Sequence, residues 1–262
     1  MIHRTARISP FWSGLTLATA LYLLLLLGML GSLATYTTPA HLWSALGSRE
    51  IRYSTGLSLL SATTSALLAL LLAVPVGYLL SRAQFRGKSW LDAALDIPIV
   101  LPPMVVGMCL LTFFQTPVGK TIERVIPFTY AVPGIVLAQF VIGAAFAVRT
   151  MRNVFDHLSS RPEDVAMTLG CSRGQAAWLV TLPAARRGML AAFSVAWARS
   201  LGEFGPILVF AGLTRLKTEV LPTSIFIELG AGHLEAAIAV SLLLVALALV
   251  VLVAVRILGE RL

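Results

Sequence analysis

Charged residues in this chain fall into clusters separated by long apolar runs. Ile8–Ser48, Tyr53–Ser81, Ile97–Gly119, Val125–Val148 and Ala236–Val255 contain no Asp, Glu, Lys or Arg, and Gly188–Gly212 is interrupted only by Arg199 and Glu203. A helix crossing the hydrocarbon layer needs roughly 20 apolar residues, and backbone facing lipid must satisfy its own hydrogen bonds. The runs are rich in Leu, Ala and Val, and none alternates with the two-residue period of a barrel strand. The pattern predicts an all-α integral membrane protein of one domain, residues 1–262, with six transmembrane helices at about 11–34, 53–81, 97–115, 132–150, 188–212 and 236–256.

Composition agrees with this reading. Hydrophobic residues make up 58% and charged residues 12%, against roughly 25% charged in an ordinary soluble domain, and the mean hydropathy is +0.87. The 20 Lys/Arg against 12 Asp/Glu give a net charge of +8, which in so apolar a chain reads as a topology signal rather than a nucleic-acid footprint. Six spans put both termini on one side. If that side is cytoplasmic, the inner segments hold thirteen basic residues, among them Arg4, Arg7, Arg82, Arg86, Arg149 and Arg152, and the outer segments hold six, Arg49, Arg52, Lys120, Arg124, Arg215 and Lys217. This bias predicts a multi-pass protein of the cell (inner or plasma) membrane with both termini cytoplasmic. Arg4 and Arg7 before an apolar stretch also fit a secretory signal, but the apolar core exceeds the usual ~7–15 residues and no clear A-x-A site follows, so a retained helix is expected. Cys109 and Cys171 fall in segments of different polarity and are not expected to form a disulfide.

Between the fourth and fifth spans an inner loop, 152–187, is far longer than a turn between helices requires. Its sequence reads as two short helices. Ser160 is placed to cap the first, with Pro162 in its first turn and Glu163 and Asp164 near its positive end. Gly170 can close it in the left-handed conformation, and Ser172-x-x-Gln175 is a capping box for the second. Val165, Leu169, Ala176, Ala177, Leu179 and Val180 supply apolar surface, and Pro183 marks the entry to the next span. From the residues alone, a docking hairpin and an amphipathic hairpin lying on lipid are equally open.

Asp164-Val165-Ala166, three residues, Gly170, nine residues, then Val180-Thr181-Leu182-Pro183 resembles the cytoplasmic EAA loop of ABC importer permeases, EAA-x3-G-x9-I-x-LP. Asp164 stands where that family usually has Glu, and Val165 where it has its first Ala. The similarity narrows at Asp96-Ile97-Pro98-Ile99-Val100-Leu101-Pro102-Pro103, Ser200-Leu201-Gly202-Glu203-Phe204-Gly205 and Leu221-Pro222-Thr223-Ser224-Ile225, which look like signatures of permeases for molybdate, tungstate and sulfate. Pro206 departs from the small residue often found there in that subfamily. The resemblance implies a type I ABC importer permease architecture with 160–183 as a coupling helix docking on a separate ATPase. The residues it marks for this role are Glu163, Asp164, Ala166, Gly170, Leu182 and Pro183. It also implies an extracytoplasmic substrate-binding protein, a second copy of the chain across a two-fold axis, and ATP and Mg held by the ATPase rather than by this chain. The cargo it implies is a small oxyanion, molybdate or tungstate first and sulfate also possible. An ABC permease for another small ligand, or an ion-coupled secondary carrier with inverted repeats, stays open as an alternative.

Enzymatic chemistry finds no support. Gly87-Lys88-Ser89 lacks the upstream Gly of a phosphate-binding loop, where Arg82 stands instead. His3, His41, His157 and His233 are scattered singly without metal-ligand spacing, and no nucleophile arrangement is recognisable. No catalytic or metal-binding residue is expected, and no nucleic acid as partner. What remains is polarity at membrane depth. A charge there costs about 2.5–3.5 kcal/mol on insertion scales, yet Arg199 and Glu203 sit four apart, on one helix face where they can pair. Either they form a neutralising pair, or with Ser200 and Gly202 they border a translocation path or gate. Ser58, Ser61, Thr63, Thr64 and Ser65 of the second span are expected chiefly to bond back to their own helix. Pro98, Pro102 and Pro103 must distort or begin the third helix. Pro222 with Ile225–Leu229 suggests a short outer helix.

Overall fold

The computed structural model describes residues 10–38, 43 and 46–261; His3, Arg4, Arg7 and His41 lie outside them. The described elements are helical: α1 Pro10–Thr35, α2 Arg49–Arg82, α3 Lys88–Val100, α4 Pro103–Gln115, α5 Pro117–Glu123, α6 Val132–His157, α7 Arg161–Thr168, α8 Arg173–Ala176, α9 Leu182–Ala184, α10 Arg186–Leu201, α11 Leu221–Gly230 and α12 Leu234–Arg261, with π-helical turns at Ala177–Thr181 and Ile207–Ala211. Helices α1, α2, α6 and α12 are each long and apolar enough to cross a membrane.

The other two expected spans are broken, which corrects their predicted form. The third, 97–115, bends by 110° between α3 and α4. Pro102 and Pro103 force the residue before each into extended backbone, and Leu101 (ψ 138°) and Pro102 (ψ 134°) adopt it. Ile97–Val100 therefore belong to α3, which buries none of its residues and exposes Trp90 and Val100. The membrane-depth piece is α4 alone, 13 residues or about 20 Å. The fifth, 188–212, is interrupted between α10 and the π-helical turn Ile207–Ala211. The other expected helices run longer than their apolar cores, most clearly α6, which continues past residue 150 to His157.

The core is a bundle of α2, α6 and α10. Ala62, Ala66, Ala69 and Ala73 form a fully buried stripe on α2, facing Ala144, Ala147, Val148 and Met151 of α6 and Ala192 and Ala196 of α10. Lipid gives no hydrophobic drive for one helix to seek another, so small residues that let backbones touch supply the packing. Gly77 shows how close the approach is: a Cβ there would lie 2.9 Å from the Met151 Cβ and the Arg152 backbone nitrogen. A second cluster of Phe114, Ile135, Ile207 and Phe210 closes the other end of the bundle, with the Phe114 ring 5.1 Å from that of Phe128 and 5.2 Å from that of Phe210. Arg149 pairs with Asp96 at 3.6 Å and Arg152 with Asp92, fastening α3 to α6. None of the apolar window of α1 is buried, so that helix presents its whole apolar surface outward.

Gly77→Leu is expected to cost about 1–3 kcal/mol of stability through overpacking, seen as a lowered thermal midpoint in detergent. Gly14→Leu, where an added Cβ meets nothing within 4 Å, is expected to leave that midpoint in place.

Candidate functional site

Two regions combine exposed or charged chemistry with close packing: the loop between α6 and α10, and the break after α10. In the loop, Pro162 starts α7 within its first turn, but Ser160 does not cap it. Its backbone is already helical (φ −76°, ψ −16°) and its side chain makes no capping bond; the Ser159 hydroxyl instead accepts from the Arg161 N–H at 3.3 Å. Gly170 ends α7 with φ +96°, a conformation that suits glycine because a Cβ would crowd the next carbonyl. Ser172 and Gln175 form the expected capping box, with the Gln175 N–H donating to Ser172 Oγ at 3.3 Å and the Ser172 N–H to Gln175 Oε1 at 2.8 Å. The chain then runs α8, π-helical turn, α9. Pro183 has no N–H to offer the preceding turn, and the Leu182 N–H reaches back five residues to the Ala177 carbonyl.

The two acidic residues at the start of α7 part company. Asp164 is exposed, as are Gly170 and Pro183, while Ala166 and Leu182 are half-buried. Glu163, 7% exposed, turns inward. It accepts from the Thr181 hydroxyl of the π-helical turn and from Tyr78 Oη of α2 at 3.3 Å, and pairs with Arg82 Nε of α2 at 3.5 Å. Arg82 Nη2 also donates to the Leu158 carbonyl at 2.9 Å. Of the apolar residues expected to pack, Ala176 is buried, but Val165, Leu169 and Leu179 are exposed. They share the loop with Trp178, 72% exposed, which sequence reasoning passed over. Its signal was available, since an indole on a loop otherwise rich in charge and small residues has few uses but contact.

At the break, Gly202, Glu203 and Phe204 leave the helix before Gly205 and Pro206 lead into the π-helical turn Ile207–Ala211. Arg199 Nη1 lies 3.2 Å from Glu203 Oε2, so the predicted pair forms. Glu203 is 2% exposed, whereas Arg199 borders a cleft of about 410 Å³ with Ser194, Ala198, Phe146 and Leu252, its guanidinium 5.8 Å from the centre of the Phe146 ring. Ser200 Oγ and Ser65 Oγ are 3.2 Å apart, joining α10 to α2, and the Trp197 indole donates to Thr63 Oγ1 at 3.1 Å. A Cβ on Gly107 would lie 2.8 Å from the Pro206 Cα, and one on Gly205 would lie 3.1 Å from the Met104 nitrogen, so α4 presses directly on the break.

The hydroxyls of α2 therefore divide. Ser61 and Thr64 bond back to their own helix, while Thr63 and Ser65 reach α10 and Ser58 accepts from the Leu221 N–H at the start of α11. At the far end from the loop, α11 covers the expected short helix, and Arg215, Glu228 and His233 join at 2.6 and 3.0 Å beside a cleft of about 670 Å³. Among the described residues no group of three or more His, Cys, Asp or Glu is placed to hold a metal ion.

A family profile described as "Binding-protein-dependent transport system inner membrane component" matches residues 67–262. A probable molybdenum ABC transporter permease protein of Haloferax volcanii is 36% identical over 251 residues, 95% of this chain and 91% of the relative. A molybdate/tungstate transport system permease protein of Pyrococcus abyssi is 35% identical over 199 residues, 76% of this chain and 75% of the relative. Among solved structures, a chain of a bacterial ABC transporter involved in import of the acidic polysaccharide alginate superposes with a TM-score of 0.77 over 97% of both chains at 18% identity, a likeness of fold.

Removing the half-exposed Arg199 leaves the buried Glu203 carboxylate without its partner, at a cost of about 1–3 kcal/mol for an unpartnered buried polar group. Arg199→Gln alone is therefore expected to lower the thermal midpoint in detergent, and Arg199→Gln combined with Glu203→Gln to regain most of the loss. Equal midpoints for the single and double variants would show that the pair is not coupled.

Proposed function

We propose, on the premise that this chain belongs to the family of binding-protein-dependent transport system inner membrane components, that it is the membrane subunit of an ATP-driven importer for a small oxyanion. It is a multi-pass inner-membrane transport subunit and not an enzyme. The preferred cargo is molybdate or tungstate, a reading supported by the names of the two relatives. An external binding protein delivers the anion, and separate ATPase subunits carry ATP and Mg. The positive bias of the inner segments favours an orientation with both termini and the loop between α6 and α10 in the cytoplasm.

The observation that carries this reading is the loop itself. Glu163 ties the hairpin to the end of α2, and Val165, Leu169, Trp178 and Leu179 stand out from the chain as an apolar surface available to a partner; the family match over residues 67–262 supports a protein partner over lipid. Asp164 beside them offers a carboxylate to a basic partner. Gly170, with open space around it, is required for its dihedral alone.

The translocation path is assigned to the break after α10, with Arg199, Ser200, Gly202 and Glu203 bordering it. Non-helical backbone at membrane depth is tolerated where protein or a polar cavity covers it. Arg199 lowers the electrostatic barrier for a dianion, and Glu203 keeps the site from holding the anion too tightly, since transit requires weak binding.

The test is uptake of labelled molybdate, tungstate and sulfate into vesicles holding this chain with its ATPase and binding protein. ATP-dependent accumulation is expected for molybdate or tungstate, and uptake that runs on an ion gradient without ATPase would overturn the reading. Gly170→Val should lower uptake about tenfold, the factor of a 1–2 kcal/mol left-handed penalty, with Gly170→Asn close to the unaltered chain because Asn tolerates this region. Trp178→Ala should weaken ATPase binding by at least about tenfold, as loss of an interface hot spot does, measured as the dissociation constant in detergent.

A further inference from the structure

The sequence pattern groups Glu163 with Asp164 as residues that meet the ATPase, but the two side chains point in different directions. Asp164 is exposed; Glu163 is buried against its own chain, where three side chains from two other segments converge on it. Tyr78 and Arg82 are four apart on one face of α2, and Thr181 closes the π-helical turn at the far end of the hairpin. Both oxygens of the carboxylate are used, Oε2 by Tyr78 and Oε1 by Thr181 and Arg82. Arg82 extends the join to a fourth segment by holding the Leu158 carbonyl at the end of α6.

The geometry points to Glu163 as a positioning residue that welds the hairpin to the inner end of α2, so that a push on the exposed face of the hairpin moves α2 rather than bending the loop. The inference rests on the ATP-driven reading above and adds the element that receives the force. Three properties support it. The carboxylate is anchored from both ends of the hairpin, α7 and the π-helical turn, so neither helix can tilt alone without breaking a bond to it. The bonds are charge-assisted and shielded, which makes them stronger than surface contacts. The anchor also sits beside a close backbone contact, Gly77 against Met151 and Arg152, so α2 and the end of α6 have no slack to absorb a small displacement. A shorter Asp at 163 would forfeit the reach, which explains why the inward position holds Glu while the outward position tolerates Asp.

The experiment uses the complete complex in vesicles, with binding protein and ATP, and records anion uptake and phosphate release on the same samples. The unaltered complex is read first: if it shows no ATP-dependent uptake, the transport reading fails and not the weld. Glu163→Gln keeps the size and removes the charge, and uptake per ATP hydrolysed is expected to fall about tenfold, the factor for one hydrogen bond to a charged group. Tyr78→Phe and Thr181→Val, each removing one donor, should lower the same ratio by smaller factors, and Arg82→Glu combined with Glu163→Arg should recover part of it. A residue that only stabilised the fold would lower uptake and hydrolysis together. An unchanged ratio in Glu163→Gln overturns the proposal. So does failure of all these variants to copurify with the ATPase, since Glu163 would then serve assembly.

Discussion

Backbone contact between α2 and α6 is the constraint on which the rest of this structure depends. Within a bilayer two helices gain nothing from hiding Leu from lipid, and must be held by dispersion contact and hydrogen bonds. The alanine stripe of α2 and the Gly77 contact bring the two axes close enough for both. That proximity sets the position of α10, whose Ala192 and Ala196 share the same core, and α10 in turn places Ser200 opposite Ser65. The polar features at membrane depth follow from an apolar, small-residue seam.

The seam also explains how a broken span survives. An interruption at Gly202–Phe204 frees carbonyls that lipid cannot satisfy, and Glu203 adds a charge. Glu203 and the following Gly205 and Pro206 are enclosed, because α4 presses on Gly205 and Pro206 and α2 bonds to Ser200 and Trp197, while Gly202 stays exposed. Pro206 leads into a π-helical turn in which the Gly212 N–H reaches back to the Ile207 carbonyl at 2.9 Å. π-helical turns cluster at functional sites, and here one lies within the loop and the other follows the break.

Much of this was legible in the sequence, for reasons that differ by element. The apolar runs that became α1, α2, α6 and α12 were read correctly because length and charge exclusion are strong signals in a membrane chain. Gly170 and the Ser172–Gln175 box were legible because capping is local chemistry. Ser160 was misread because two adjacent serines compete for one role, and the one placed at 159 by the preceding turn took it. The breaks in the third and fifth spans were only partly visible: Pro102 and Pro103 announced a distortion, but not its 110° size, and the pairs that fasten α3 to α6 through Asp92 and Asp96 join residues more than 50 positions apart. The inward turn of Glu163 could not be read at all, since Tyr78 and Arg82 are more than 80 residues distant.

The same helix serves both regions. Ser65 of α2 touches the break and Tyr78 of α2 touches the loop, 13 residues apart or about 20 Å along one axis. Pro75 lies between them on an exposed face, yet α2 runs unbroken from Arg49 to Arg82. A continuous helix clamped at its inner end by a carboxylate and bonded at its middle, through Thr63 and Ser65, to Trp197 and Ser200 just before Glu203 transmits translation and rotation with little loss, whereas a chain of flexible side chains would not. One helix thus connects the loop proposed to dock with the break proposed as a gate, and its polar contacts at Tyr78 and Ser65 join it to both.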